Sequence, residues 1–322
     1  MTRIQHIGVL TGGGDCPGMN AALRAIVKAA VCERGIHVTG FLDGFAGLTE
    51  DRARPLGFDD VAGIIATGGT MLGTSNRYDP FRVAVEGEGG MRRDCSDAVL
   101  ATLARRGVDG LVVVGGDGSL RIADRISARG VPVIGVPKTI DNDVAETDVT
   151  IGFDSARAIA TEAVDRLRST AASHHRIMVL EVMGRHAGWI ALEAGMAGGS
   201  DVILLPEIPF GYEAVARGVR DRMCRGRSFS LVVVAEGARS PTAAPWSARS
   251  WREAPSRCGW AASQPSWAAP SSNCCRPRSA TSPSDTSSVA ARRRRPTVSS
   301  PRDSGRRRST RSTTAPGVRW LP

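Results

Sequence analysis

Two carboxylates, Asp141 and Asp143, stand two residues apart shortly after the apolar run Val131 to Val136. A short β-branched run closed by Pro137 is typical of a buried strand in a parallel sheet. The binding residues of α/β folds lie at the carboxyl ends of such strands. A carboxylate pair beside the hydroxyl of Thr139 can abstract a proton and help to bind phosphate or metal. The same residues also suit an acidic surface turn, and spacing alone leaves that alternative open.

A glycine-rich loop, Thr11 to Asn20, separates the predicted strand His6 to Leu10 from a helical pattern over about 20–32. This layout is typical of a phosphate site, because glycines let the backbone approach an anion and free helix N–H groups point at it. Gly14 is the candidate contact. Such loops are also common as plain turns, so this loop alone indicates little.

A second loop, Gly115 to Leu120, follows the predicted strand Leu111 to Val114 and contains Asp117. Mg²⁺ prefers one or two carboxylates together with phosphate oxygens and water, so Asp117 is a candidate magnesium ligand. A third loop, rich in glycine and hydroxyl residues, spans 68–77 and ends at Arg77. That arginine can donate charge-assisted hydrogen bonds to phosphate, although the segment also fits a solvated hairpin.

Predicted strands and helices alternate along the first 240 residues. After the carboxylate pair they are helices over Ser155 to about Thr170 and around Trp189 to Met196, and strands over Arg176 to Val182, Val202 to Leu205 and Leu231 to Ala235. This alternation predicts an α/β fold with doubly wound, largely parallel sheets. We expect two Rossmann-like domains, 1–150 and 151–238, followed by a disordered or misfolded tail over 239–322.

The tail has a different composition from the rest of the chain. From Pro241 onward it contains 15 arginines, no lysine, three acids and five of the six tryptophans, so it accounts for the net charge of +10. A basic segment without apolar periodicity could bind nucleic acid or anionic surfaces. Binding through this tail is therefore an alternative class of function, although the features of the first 240 residues favour an enzyme.

The sequence also carries signals on location. No window has the roughly 18 uninterrupted apolar residues that a membrane helix needs. The first ten residues are too short and polar for a secretory signal. The seven cysteines show neither metal-ligand spacing nor a disulfide framework. These features predict a cytoplasmic protein without a membrane partner.

Four motifs, taken together, resemble those of the 6-phosphofructokinases in order and approximate spacing. They are Gly-Gly-Asp-Cys-Pro-Gly-Met-Asn, Gly-Gly-Asp-Gly-Ser, Pro-Lys-Thr-Ile-Asp-Asn-Asp and Glu-Val-Met-Gly-Arg-His-Ala-Gly-Trp. The resemblance covers Ile4 to about Ala238 and is to the bacterial type, in an actinobacterial-like subgroup. It implies phosphoryl transfer from ATP to the 1-hydroxyl of fructose 6-phosphate in glycolysis. It also implies a homo-oligomer, usually a tetramer, in an allosteric family.

The resemblance assigns roles to matching positions. Asp141 is implied to be the base, with Asp143 as its supporting carboxylate, Arg185 as a further catalytic residue and Asp117 on Mg²⁺. The implied phosphate-donor site is Gly14, Phe45, Arg77, Gly116, Asp117, Gly118 and Ser119. The implied fructose 6-phosphate site is Thr139, Ile140, Asp141, Arg176, Met183, Gly184, Arg185 and Glu236.

Some of these positions also have simpler interpretations. Arg176 is implied to reach into a neighbouring subunit's sugar-phosphate site, yet it also fits an ordinary surface cation. Met183 and Trp189 also fit plain core positions, and Cys16 and His186 are interpreted as structural. A different small-molecule kinase is an alternative enzyme, against which the Thr-Ile-Asp-Asn-Asp and Met-Gly-Arg motifs argue.

The identity of the phosphate donor depends on three positions. The family's pyrophosphate users carry an aspartate after the metal-binding one; here Gly118 leaves room for a nucleotide. Phe45 is placed where an aromatic ring would stack on adenine. Lys138, in contrast, is frequent among pyrophosphate users, though also found in one subgroup of ATP users. ATP is favoured, with pyrophosphate as the alternative.

The family's final Gly-His-x-Gln-Arg-Gly-Gly motif is missing from this chain. Synonymous codons for Ser284 to Arg292, read from the last base of the first codon, encode Gly-His-Val-Gln-Arg-Gly-Gly. The tail is therefore predicted to be the family's C-terminal segment translated out of frame, which resequencing of the coding DNA would test. We expect the chain as written to be poorly soluble or an inactive truncated relative.

Overall fold

A computed structural model describes residues 4–84 and 92–240. These residues belong to one compact unit of the chain. Apart from its first two residues, the predicted tail lies outside the described residues, and so do the predictions made for it.

The described residues contain eleven strands and seven α-helices. The strands are β1 (His6–Thr11), β2 (His37–Phe41), β3 (Ala53–Pro55), β4 (Val83–Ala84), β5 (Arg92–Arg93), β6 (Gly110–Gly115), β7 (Val133–Thr139), β8 (Ile151–Gly152), β9 (Ile177–Val182), β10 (Val202–Leu204) and β11 (Ser230–Ala235). The helices are α1 (Met19–Lys28), α2 (Phe45–Glu50), α3 (Ser96–Arg105), α4 (Asp117–Ser127), α5 (Phe153–His174), α6 (Trp189–Ala197) and α7 (Tyr212–Cys224). A π-helical turn, Ala29–Glu33, continues α1, and two 3₁₀ turns cover Asp59–Val61 and Ile64–Ala66.

Six strands form the larger sheet, in the order β3-β2-β1-β6-β7-β8. All neighbours in it are parallel except β2 and β3. The second sheet has the order β10-β11-β9 and is entirely parallel. The predicted α/β fold with largely parallel sheets is thus confirmed. In the larger sheet the chain moves from β1 to β2 on one side and reaches β6 on the other. The carboxyl ends of β1 and β6 therefore flank the switch point where α/β folds bind ligands.

Burial on both faces fixes the larger sheet between helices. Val9 on β1 packs with Leu23 of α1, whereas the next residue, Leu10, packs with Val99 and Leu103 of α3. Successive strand residues point to opposite faces, so a continuous apolar run covers both. The strand ends, and the loops that follow them, are held in place by this packing.

The smaller sheet is built in the same way around β11, whose six residues are all buried. Val233 packs with Val164 of α5 and Ala191 of α6, whereas Val232 packs with Val215 of α7. Helix α7 was not predicted from the sequence, because arginines interrupt its apolar positions. No helix among the described residues has the length and apolar character needed to cross a membrane.

The prediction that the strand before the carboxylate pair is buried was wrong. In β7 only Lys138 is buried, and Ile134 is 65% exposed. The reason lies in the pairing: β6 pairs with Val133 to Pro137, but β8 pairs only with Lys138 and Thr139. The first part of β7 is therefore an edge within the described part of the chain.

Candidate active site

A cleft of about 930 Å³ opens at the carboxyl ends of β1, β6 and β7. Eleven of the residues predicted from the sequence line it: Gly14, Phe45, Arg77, Gly116, Asp117, Gly118, Ser119, Thr139, Ile140, Asp141 and Met183. The parallel sheet brings these distant loops together because its strand ends meet at one edge. The cleft thus unites all seven residues of the predicted donor site with the carboxylate Asp141.

The glycine loops after β1 and β6 pack against each other around Ser119, which is only 7% exposed. A Cβ at Gly115 would overlap the Cβ of Ser119, and one at Gly12 would lie 2.6 Å from its hydroxyl oxygen. In contrast, a Cβ at Gly14 or Gly118 would meet no atom within 4 Å. Gly12 and Gly115 therefore allow the two loops to pack closely against each other. Gly14 and Gly118 leave open space in which the backbone is accessible to a ligand.

The third loop is held to the first by polar contacts that sequence reasoning missed. The hydroxyl of Thr74 donates to the Gly13 carbonyl at 2.6 Å, and the Gly13 N–H donates to the Ser75 carbonyl at 3.1 Å. The buried side chain of Asn20 donates to the Thr67 carbonyl at 3.1 Å. It accepts from the Met71 N–H at 2.8 Å. An asparagine at the end of a glycine loop was the available signal, because a buried side-chain amide must find hydrogen-bond partners.

Lys138 reaches under the first loop and donates to the Gly14 carbonyl. The side chain is 3% exposed, and burial lowers the pKa of Lys138. Nearby, the buried thiol of Cys16 lies against the carbonyls of Pro17 and Ile151, and burial raises the pKa of Cys16. The structural interpretation of Cys16 agrees with these contacts. The lysine contributes positive charge to the wall of the cleft beside Gly14.

Asp141 is a half-buried carboxylate of the cleft whose pKa is raised. Burial raises the pKa of Asp141, as do the charges of Asp143 and Glu236, and His186 acts in the opposite direction. Its Oδ1 atom is buried and has no hydrogen-bond partner among the described residues. A buried oxygen without a partner at a ligand-sized cleft is a group prepared to accept a proton or hydrogen bond.

A local network holds Asp141 in position. Its backbone N–H lies 3.2 Å from the Thr139 hydroxyl. Asn142 adopts a left-handed conformation with φ of 52°, and its Oδ1 accepts from the Thr150 N–H at 2.9 Å. The Thr150 hydroxyl donates to the Thr139 carbonyl at 2.7 Å. Sequence reasoning missed Thr150, which lies too far along the chain for the motif to indicate it.

Asp117 begins α4 and faces the cleft, but both its oxygens are engaged by Arg121. The distances are 3.2 Å from Nε to Oδ1 and 2.8 Å from the guanidinium to Oδ2. The described residues contain no group of three or more His, Cys, Asp or Glu able to hold a metal. Mg²⁺ is commonly held by one or two carboxylates plus substrate phosphates and waters. Asp117, beside the open backbone at Gly118, fits that mode, and Asp15 lines the same cleft next to Gly14.

The remaining predicted residues lie outside the lining of the cleft. Asp143, Arg185 and Glu236 are exposed, although Asp143 and Glu236 act electrostatically on Asp141. Gly184 is buried with φ of 140°, and a Cβ there would lie 2.7 Å from the Ala187 carbonyl oxygen. Its observed role is therefore conformational, since only glycine tolerates this backbone.

Arg176 precedes the amino end of β9, whereas Met183 follows its carboxyl end. A strand of this length separates its two ends by about 20 Å. Arg176 therefore cannot join Met183 in the cleft of its own chain. The prediction that it serves a neighbouring subunit stays a prediction.

Three sequence-based interpretations need correction. Phe45 is 2% exposed and packs in the core with Leu10 and Leu48, so its ring face is not free to stack on adenine. His186 is exposed and acts electrostatically on Asp141 rather than filling the core. Trp189 begins α6 with 44% exposure and is likewise not a core residue.

The family model described as "Phosphofructokinase" matches residues 6–262. The chain belongs to the phosphofructokinase family. The recognition of that family from the four motifs is therefore confirmed.

Individual members of the phosphofructokinase family agree with this result. An ATP-dependent 6-phosphofructokinase 2 of Clostridium perfringens is 53% identical over 241 residues, which cover 74% of this chain and 66% of the relative. A pyrophosphate–fructose 6-phosphate 1-phosphotransferase of Amycolatopsis methanolica is 52% identical over 72% of this chain and 65% of its own length. The structure of phosphofructokinase from Saccharomyces cerevisiae superposes with a TM-score of 0.68 at 35% identity, covering 79% of this chain and 37% of that one. The chain spans about two thirds of the length of the curated relatives it matches.

Proposed function

We propose that this chain carries the site that transfers a phosphoryl group from ATP to the 1-hydroxyl of fructose 6-phosphate, giving fructose 1,6-bisphosphate. The observation that carries the proposal is the buried, unpartnered Oδ1 of Asp141 in the same cleft as the glycine loops. Phosphoryl transfer needs positioning and charge neutralisation more than covalent chemistry. A half-buried carboxylate that lines the same cleft as the donor loops suits the base that accepts the hydroxyl proton.

The donor phosphates would lie over Gly14 and Gly118, where the backbone borders open space. Arg77 is exposed and lines the cleft, and Lys138 adds charge beneath the loop. Ser119 sits at the base of the second loop. When bound at Asp117, Mg²⁺ would neutralise charge on the transferred phosphoryl group. We therefore assign residues 1–150 to donor binding.

The acceptor would be bound by residues 151–238 together with the loop that carries Asp141. Thr139 and Met183 line the cleft, and Glu236 is close enough to raise the pKa of Asp141. Arg176 and the homo-oligomer that it would join are part of the proposal. The names of the relatives from Clostridium perfringens and Amycolatopsis methanolica support fructose 6-phosphate kinase chemistry.

The direct test is product formation. The chain is incubated with ATP, Mg²⁺ and fructose 6-phosphate, and fructose 1,6-bisphosphate is detected by ³¹P NMR. The matched control is 1-deoxyfructose 6-phosphate, which lacks the hydroxyl and should give no bisphosphate. Binding of ATP without product would contradict the proposed activity and support the inactive-relative alternative.

A second candidate is pyrophosphate-dependent transfer. It is favoured by Lys138, buried beneath the first loop, and by the name of the Amycolatopsis methanolica relative. The open space at Gly118 favours ATP, because a larger donor fits there. Parallel assays with ATP and pyrophosphate, at equal Mg²⁺ and fructose 6-phosphate, decide between the two donors.

A further inference from the structure

Four arginines line the cleft on its donor side: Arg77, Arg82, Arg121 and Arg125. Arg125 is held over the Phe81 ring at 3.7 Å and lies 3.8 Å from a carboxylate oxygen of Asp79. Arg121 is different, because its described ionic partner is Asp117, the carboxylate proposed to hold Mg²⁺. The cleft thus contains an arginine, Arg121, that is paired with the carboxylate proposed to bind the metal.

The geometry makes this arginine and a metal compete for one carboxylate. Arg121 approaches both oxygens of Asp117 from the next turn of α4, so a divalent cation bound at either oxygen would lie close to the positive charge of the guanidinium. The side chain of Arg121 is 77% exposed and that of Asp117 is 55% exposed. Exposed pairs four residues apart on a helix contribute little, so a divalent cation with its phosphates can separate them.

We propose that Arg121 is displaced from Asp117 when the metal and donor bind, and that its guanidinium then binds a phosphate oxygen of the donor. The side chain extends from the first turns of α4 into the same cleft as Gly118, so it needs only to rotate. A guanidinium forms strong charge-assisted hydrogen bonds to phosphate. These would replace the hydrogen bonds that Arg121 makes to Asp117 in the free protein. Arg121 would thus bind Asp117 in the free protein and the phosphate chain in the loaded one.

This inference rests on the proposed donor site and predicts two effects of opposite sign. Removing the guanidinium of Arg121 should strengthen the binding of a divalent ion alone, because no side-chain cation then competes for Asp117. It should weaken binding of the metal–nucleotide complex, because one phosphate ligand is lost. A residue that only stabilises the helix would change neither affinity.

The test uses the full chain and Arg121→Gln. Mn²⁺ alone is titrated and the free ion is counted by EPR, with Asp117→Asn identifying the signal that belongs to Asp117. Binding of ATP with Mg²⁺ is measured by calorimetry. The matched control is Arg166→Gln, because Arg166 pairs with Glu162 at the same spacing, at 2.6 Å and equal arginine exposure, on α5.

For Arg121→Gln we expect Mn²⁺ to bind about two- to fivefold more tightly and ATP–Mg²⁺ to bind about tenfold more weakly. Arg166→Gln should match the wild type in both measurements. Unchanged affinities in Arg121→Gln, or a change of the same sign in both, would overturn the inference. If the wild type fails to bind ATP–Mg²⁺, the proposed function fails at its donor site, and the Mn²⁺ titration still decides whether Arg121 competes for Asp117.

Discussion

The donor and acceptor sides of the cleft differ in how firmly their side chains are held. On the donor side, Ser119 and Lys138 are 7% and 3% exposed, and each contacts a neighbouring glycine loop. On the acceptor side, Met183 is 55% exposed, and Arg185 and Glu236 are exposed as well. Because a buried side chain has few alternative rotamers, Ser119 and Lys138 are preorganised to a greater degree than these acceptor residues. The donor residues Asp117 and Arg121, at 55% and 77% exposure, are not held in this way. We therefore expect that a substitution in this chain can weaken sugar-phosphate binding without weakening nucleotide binding.

The largest expected effect comes from Asp141, which stands between the two sides. Asp141→Asn should lower turnover by about 10³-fold, within the range for loss of a general base, while donor binding is retained. The control is Asp148→Asn, an exposed aspartate of the same loop segment. Steady-state kinetics and ATP calorimetry on both variants check this. Loss of ATP binding in Asp141→Asn would show that the two sides are not separable.

The second effect is the pH dependence that Asp141 imposes. Its pKa is raised by burial, so the base is protonated at a higher pH than an ordinary aspartate. Turnover should therefore fall about tenfold per pH unit below the raised pKa.

The same raised pKa has the opposite pH dependence for stability. It favours folding at low pH, and that contribution to the free energy of unfolding is lost as pH rises through the raised pKa. Asp141→Asn should thus gain stability over the wild type at neutral pH, measured by urea unfolding. An equal difference at pH 4 and pH 7 would contradict this.

The third prediction sharpens the description of the donor side. Gly115→Ala should destabilise the fold by about 1–3 kcal/mol, because its Cβ would overlap Ser119. Gly118→Ala, the same change three residues later, meets open space and should alter the unfolding free energy by less than about 0.5 kcal/mol. Urea unfolding of the pair measures both. Equal stability of the two variants would mean that the loops are not closely packed.

The smallest effect is expected on the acceptor side. Met183→Ala should leave the unfolding free energy within about 0.5 kcal/mol of the wild type, because the side chain is largely exposed. It should weaken fructose 6-phosphate binding without altering ATP binding. Parallel calorimetric titrations with the two ligands test this, and weakened ATP binding would remove the distinction between the sides.

Much of this arrangement was predictable from the sequence. Strands ended by glycine or proline predicted β1, β6 and β7, and the parallel sheet that follows from their alternation with helices brought their loops together. What local patterns could not indicate was burial set by distant partners. Phe45 looked accessible but packs in the core, and the first part of β7 looked buried but forms an edge.

Polar networks were the other feature of the structure that was not predicted from the sequence. Thr150 supports the carboxylate loop from eight residues beyond Asn142, a separation that no motif specifies. The pair of Asp117 and Arg121 was visible as a four-residue spacing on a predicted helix, and sequence reasoning passed over it because Asp117 was already assigned to the metal.

The edge formed by β7 also has a consequence for the folding of the chain. Within the described residues, Val133 to Pro137 pair on one side only and expose Ile134. An open strand edge with apolar side chains is a template on which another chain can add a strand. Pro137 and Gly135 weaken that template, because proline lacks an N–H and glycine packs no side chain. Intermolecular strand addition at this edge would therefore compete with folding, and that competition grows with the concentration of the protein.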